Sequence, residues 1–299
     1  MVLRLAVALI ALSFTAALAE LGVTKAKAAT AVLSRVEGPV VVAAGDIACP
    51  PGRPVTATAC RQRDTARLAA SFRPRRVLAL GDLQYPASTL GQLRTVYKPS
   101  WGRLKPITRP VPGNHEYMTP RAAGYYGYFT GQRPPGYYAF DVRRWRIYAL
   151  NSNCHAIDCD RELRWMRRDM VANPRACTLM MLHYPLYSSG PGARPIMRRF
   201  WRVAYRHGTD IALAGHDHHY ERFRRMDAVG NVVDDGIQSF VVGTGGRSLH
   251  PLRGRRPGSL ARSDRTFGVL AIRLGADGYA WTYRTTRGTV PDSGTATCR

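Results

Sequence analysis

Aspartate, histidine, asparagine and tyrosine stand in this sequence where short apolar runs end, and these side chains ligate metal ions through oxygen and nitrogen. Val40–Ala44 runs into Gly45-Asp46, and residues 77–80 run into Gly81-Asp82, with Tyr85 three positions on. Residues 178–182 end at His183, and Ile211–Ala214 ends at Gly215-His216-Asp217-His218. Gly113-Asn114-His115-Glu116 adds an amide, an imidazole and a carboxylate in consecutive positions. A lone Gly-Asp turn after a strand is ordinary structure. In this order, and each at the C-terminal end of an apolar run, the residues converge on the edge of an α/β sheet where ligands bind.

A pair of metal ions about 3.5–4 Å apart needs one bridging carboxylate and further oxygen or nitrogen donors on each ion. Asp82 suits the bridge. Asp46, Tyr85 and His218 complete one ion, and Asn114, His183 and His216 complete the other. His216 and His218 would share a face in an extended segment, and a bend there lets each reach a different ion.

These residues carry a family resemblance. Gly45-Asp46, Gly81-Asp82-x-x-Tyr85, Gly113-Asn114-His115-Glu116, His183 and Gly215-His216-x-His218 resemble the block signature of the calcineurin-like metallophosphoesterases. Tyr85, three residues after the bridging aspartate, and Tyr220-Glu221-Arg222 are similar to the purple acid phosphatases. The match runs from about residue 40 to 246. It implies a four-layer αββα sandwich, with the catalytic domain over residues 38–299. It also implies that the metal ligands are those named above, that His115 is the acid meeting the leaving group, and that Glu116 orients His115.

Two positions depart from the family pattern. Ala48 stands where the first block usually ends in histidine or glycine, which leaves Tyr85 to fill the first site. Ala193 and Arg194 stand where another histidine is common. Arginine binds phosphate but is a poor proton donor, so Arg194 joins Asn114 and His219 as a candidate substrate contact.

Asp46, Asp82, a Tyr85 phenolate and a bridging hydroxide sum to about −4, so a trivalent plus a divalent ion leaves the site near +1, attractive to a phosphate ester. Phenolate prefers a hard ion, which favours Fe(III) in the first position. The histidine-rich second position suits Fe(II), Zn(II) or Mn(II). The expected reaction is hydrolysis of phosphate monoesters by metal-bridged hydroxide, with His115 as general acid. Two alternatives stand beside it. One is a phosphodiesterase acting on nucleotides or nucleic acid, and the other is a non-catalytic binder of anionic polymer.

The elements that must position these groups follow from the apolar pattern. Short apolar runs read as buried strands. Amphipathic stretches of helical length lie between them at residues 56–71, 160–171 and 195–207. After His218 the pattern changes to strands without long helices, at residues 220–225, 238–242, 268–274 and 279–284. The expected fold class is α/β, with two packed mixed β-sheets flanked by helices. The Arg-, Gly- and Pro-rich stretch 248–263 reads as a mobile surface loop, and Gly243-Thr244-Gly245-Gly246 as a turn rather than a phosphate cradle. His155 reads as a loop histidine, and His207 and His250 carry no usable signal.

At the N-terminus, Arg4 followed by an apolar run through Ala19 reads as an export signal over residues 1–28. Small residues at Ala17 and Ala19 fit a cleavage site, as does Ala26-Lys27-Ala28. No later run is long enough to span a membrane, so the expected location is secreted or extracytoplasmic. Cys49, Cys60, Cys154, Cys159, Cys177 and Cys298 agree with export. Many connectivities are open to six cysteines. Proximity suggests Cys49–Cys60 and Cys154–Cys159, leaving Cys177–Cys298. The net charge of +24, nearly all of it arginine, attracts phosphate esters, nucleic acid or anionic envelope polymers. It is equally what a solvated, arginine-rich surface carries; Arg161, Arg164 and Arg168 share one helix face and need only keep it wet.

Overall fold

The apolar run Val40–Ala44 forms strand β1, whose last four residues are all buried. Burial on both faces is why it reads as a continuous apolar run rather than an alternating one. The computed structural model describes residues 31–252 and 254–299. The export signal expected at residues 1–28 lies outside the described residues.

β1 sits at the centre of a mixed sheet. It pairs in parallel with β2 (Arg76–Ala79), which pairs in parallel with β3 (Thr108–Pro110). On its other side it runs antiparallel to β11 (Gly268–Leu274), followed by β12 (Gly278–Thr285) and β13 (Asp292–Thr297). The second sheet has the order β10-β8-β9-β7-β6-β5-β4. Its parallel core is β5 (Trp145–Ala149), β6 (Cys177–Met181), β7 (Ile211–Ala214) and β9 (Ile237–Val242). The antiparallel strands β4 (Tyr138–Val142), β8 (Tyr220–Met226) and β10 (Ser259–Ser263) flank that core.

Side-chain alternation decides which layer each residue joins. Ile147, Leu179 and Leu213 point into the core shared with the first sheet. Their neighbours Tyr148, Met180 and Ala212 pack instead on Leu163, Met166, Phe200 and Trp201 of the helices Cys159–Ala172 and Arg198–Arg206. Tyr220 stacks on Tyr283 at 3.8 Å between centroids, and Trp145 Nε1 donates to the Gly275 carbonyl at 2.8 Å, tying sheet to sheet. The expected two packed mixed sheets with flanking helices is the architecture found.

The first helix is shorter than its amphipathic stretch. It spans Gln62–Ser71 and not 56–71, because the Cys49–Cys60 disulfide and a bridge from Ala59 to Ser248 hold the preceding residues out of the helix. The stretch 248–263 is likewise not all loop: Ser259–Ser263 is β10, paired along the edge of β8. All six cysteines are bonded, as Cys49–Cys60, Cys154–Cys159 and Cys177–Cys298. None of the described helices is long and apolar enough to cross a membrane.

Candidate metal centre

Asp46, Asp82, His183 and His216 each lie within three residues of the C-terminal end of β1, β2, β6 or β7, so both sheets deliver side chains to one edge. The sheets are joined there by the Gly45 amide, which donates to the Val242 carbonyl at 2.8 Å. Asp46, Asp82 and His216 have φ of 58°, 48° and 69°. Non-glycine residues avoid this left-handed region, so the surrounding structure holds these three against their backbone preference. Gly81 and Gly113 allow the close approach. A Cβ on Gly81 would press on the His183 ring, and one on Gly113 would run into the Asp82 carboxylate.

Asp82 is the hub. Its Oδ2 lies 2.9 Å from Tyr85 Oη, 3.4 Å from His183 Nε2 and 3.8 Å from His115 Nε2. On one side, Tyr85 Oη also lies 2.9 Å from Asp46 Oδ1 and 3.0 Å from His218 Nε2. On the other, His183 Nε2 lies 3.0 Å from Asn114 Oδ1 and 3.2 Å from His216 Nδ1. The bend that separates the two histidines is a pair of tight turns, Asp217 N–H to Gly215 O and His219 N–H to Asp217 O.

This set is rich in lone pairs and poor in protons. The Tyr85 hydroxyl has a single proton, with two carboxylate oxygens and an imidazole nitrogen around it. His183 Nδ1 sits 2.8 Å from the Leu80 carbonyl, a donor's position, so its Nε2 aims a lone pair at other acceptors unless protonated. Burial alone would lower the His183 pKa, but Asp82 and Asp46 outweigh it and raise it to about 9. Burial, then His183, drives His216 down to about 3. Asp46 and Asp82 stay below the ordinary carboxylate range despite complete burial, Asp46 chiefly through His218 and Asp82 chiefly through His183. A cluster that pulls a proton onto a buried histidine accommodates a cation in the same place, and its O and N donors fit metal ions.

The Glu116 carboxylate, expected to orient His115, makes no hydrogen bond to the His115 ring. This buried carboxylate accepts from the amides of Asp82 (2.8 Å), Leu83 (2.9 Å) and Gly113 (2.6 Å) and from Ser88 Oγ. It therefore clamps together the two loops that carry Asp82 and Asn114. The His115 ring is set by its Nδ1 against the Pro86 carbonyl, with the Tyr85 ring 4.1 Å away. His219, a candidate substrate contact in the sequence, does not reach the surface. It is buried, with Nε2 3.2 Å from Glu221 Oε2, and Glu221 also accepts from the Ser189 amide at 2.7 Å. Burial makes pairing with a carboxylate the stable choice for this ring. Arg194 is exposed at the rim, its guanidinium 5.2 Å over the Tyr184 ring, which itself packs 4.5 Å from His216.

Some residues of the site were missed in the sequence. Ser248 Oγ lies 2.7 Å from His218 Nδ1, His250 stacks on His218 at 4.1 Å, and Arg247 lies over Tyr85. All follow the Gly243–Gly246 turn, whose Gly243 and Gly245 amides are spent on the carbonyls of His219 and Gly45. That turn brings 247–250 to the site, and only its position after β9 signals this. His155 is exposed against Tyr117.

Comparisons with known proteins show the family and the fold. The family model for calcineurin-like phosphoesterases matches residues 39–220. The chain is 27% identical over 196 residues to purple acid phosphatase 23 of Arabidopsis thaliana, covering 51% of this chain and 43% of that protein. It is 27% identical over 180 residues to purple acid phosphatase 1 of Ipomoea batatas, covering 54% and 36%. The chain thus spans less than half the length of these curated relatives. Among solved structures, a purple acid phosphatase from yellow lupin (Lupinus luteus) seeds superposes with a TM-score of 0.70 at 18% identity, over 88% of this chain and 54% of that one.

Proposed function

Because the chain belongs to the calcineurin-like phosphoesterase family, we propose that it hydrolyses phosphate monoesters at a site holding two metal ions. One observation carries this reading: Asp82 Oδ2 is shared between the Asp46–Tyr85–His218 group and the Asn114–His183–His216 group. In this reading Asp82 bridges the ions and each group completes one of them. Metal ions there supply ionised water at ordinary pH and offset the charge that builds on the phosphoryl group.

Burial, then Asp46 and Asp82, push the Tyr85 phenol well up. Holding it as phenolate therefore takes a highly charged ion, which favours Fe(III) beside Tyr85 and Fe(II), Zn(II) or Mn(II) beside His183 and His216. His115 donates the leaving group's proton. Its Nδ1 is committed to the Pro86 carbonyl, leaving Nε2 as the nitrogen free to deliver it. Glu116 positions the ligand loops, and Arg194 meets substrate at the rim. We assign residues 38–299 to the catalytic domain and residues 1–28 to an export signal, a location that suits the three disulfides.

Metal stripping tests the reading. Chelated protein should lose hydrolysis of an aryl phosphate and regain it on repletion, with two metal ions bound per chain. Turnover that survives complete stripping would contradict it.

A further inference from the structure

Arg247 is placed by its neighbours with little freedom. Its amide donates to the Asp46 carbonyl at 2.9 Å, its carbonyl accepts from the Cys60 amide at 3.2 Å, and the next residue, Ser248, bridges to Ala59. The Cys49–Cys60 disulfide closes the same corner. From that anchor the guanidinium carbon lies 5.0 Å from the centroid of the Tyr85 ring. Tyr85 is also the residue whose hydroxyl meets Asp46, Asp82 and His218 and whose ring flanks His115. Arg247 therefore lies against the ring of the residue that meets both the donor cluster and the proposed acid.

Its bonding is incomplete. Two other partly buried arginines fork onto carboxylates, Arg146 onto Asp169 at 2.7 and 2.8 Å and Arg222 onto Asp292 at 2.7 and 2.8 Å, whereas the Nε atoms of Arg76, Arg273, Arg284 and Arg299 lack a partner as Arg247's does. Arg247 has no carboxylate within ion-pair distance among the described residues, and its buried Nε has no hydrogen-bond partner. A buried, unpaired donor is unfavourable for the fold on its own, and an anion docking at this border removes the penalty.

We propose that Arg247 is a phosphate-binding residue, its free N–H groups holding terminal oxygens of the substrate's phosphoryl group and of the released phosphate. The inference rests on the phosphoesterase reading above. A planar guanidinium matches pairs of phosphate oxygens in a way an ammonium does not. A monoester presents more terminal oxygens and more charge than a diester, so this contact favours the monoester.

The test is calorimetric titration of inorganic phosphate into the metal-loaded full chain and its R247K and R247Q variants, with metal content and Tm measured for each. R247Q should weaken phosphate binding by about tenfold or more, and R247K by less, with metal content and Tm unchanged. Equal affinity in all three proteins overturns the assignment. So does a loss of affinity that only accompanies loss of metal, or a metal-loaded wild type that binds no phosphate. The titration needs no turnover. A wild type that binds phosphate through Arg247 yet hydrolyses no ester would instead sink the phosphoesterase reading and leave this assignment standing.

Discussion

At the scale of single residues, roles separate by what each side chain has left to give. His115 has one ring nitrogen bound to the Pro86 carbonyl and the other unclaimed at the mouth of the cluster. His115→Ala should keep full metal content and lose about 10²–10⁴-fold in rate, most severely on alkyl phosphates, whose leaving groups need the proton. Equal losses on aryl and alkyl esters would remove His115 from that role. Tyr85→Phe deletes the group common to Asp46, Asp82 and His218. It should drop metal content toward one ion per chain by elemental analysis, while the protein stays folded. Asp46, Asp82, His183 and His216 stand out in the sequence because each follows an apolar run, a position that chemistry explains and packing does not. The family resemblance implies that Glu116 orients His115, whereas its hydrogen-bond partners are backbone amides on Asp82, Leu83 and Gly113, and side-chain identity carries no trace of them.

The elements position the site through close backbone approach and buried polar anchors. Gly113→Ala places a methyl against the Asp82 carboxylate and amide, so the loops must part. It should lower metal affinity and Tm together, as measured by metal titration and thermal melts. Glu162, on the helix Cys159–Ala172, is buried and accepts from the Asn151 amide at 2.8 Å, while its Oε2 has no partner. Burial holds its pKa well above the usual carboxylate value. A raised folded-state pKa means this group's contribution to stability is full below the unfolded value and is lost as pH rises through the folded one. Glu162→Gln should therefore raise Tm at pH 8, with the gain shrinking as pH falls toward 4.5; a gain independent of pH would contradict the burial argument. Elements with strong apolar runs were legible to within a residue or two. β3, β4, β5 and β13 were not, for two reasons. β3 is only Thr108–Pro110, and the others carry charged or polar residues such as Asp141, Arg146 and Asp292 that the sheet edge and ion pairs absorb.

On the scale of the whole molecule, two sheets supply one edge, and one covalent link secures the second sheet's far end. Cys177 begins β6 and Cys298 follows β13, so their bond joins the two sheets across a separation of 121 residues. Replacing both with serine should cost roughly 4–5 kcal/mol of stability by denaturant unfolding and leave phosphate-ester turnover at low temperature unchanged, because neither residue reaches the site. The net charge of +24 is not selective among anions, and in the proposed account the choice among them belongs to the donor cluster and its rim. That claim is tested most directly by comparing kcat/KM for p-nitrophenyl phosphate and bis(p-nitrophenyl) phosphate on the metal-loaded protein, with Asn114→Ala as control. Faster, Asn114-dependent turnover of the monoester is the predicted result. A preference for the diester would make the protein a phosphodiesterase, and no turnover of either ester with both metals bound would contradict the account.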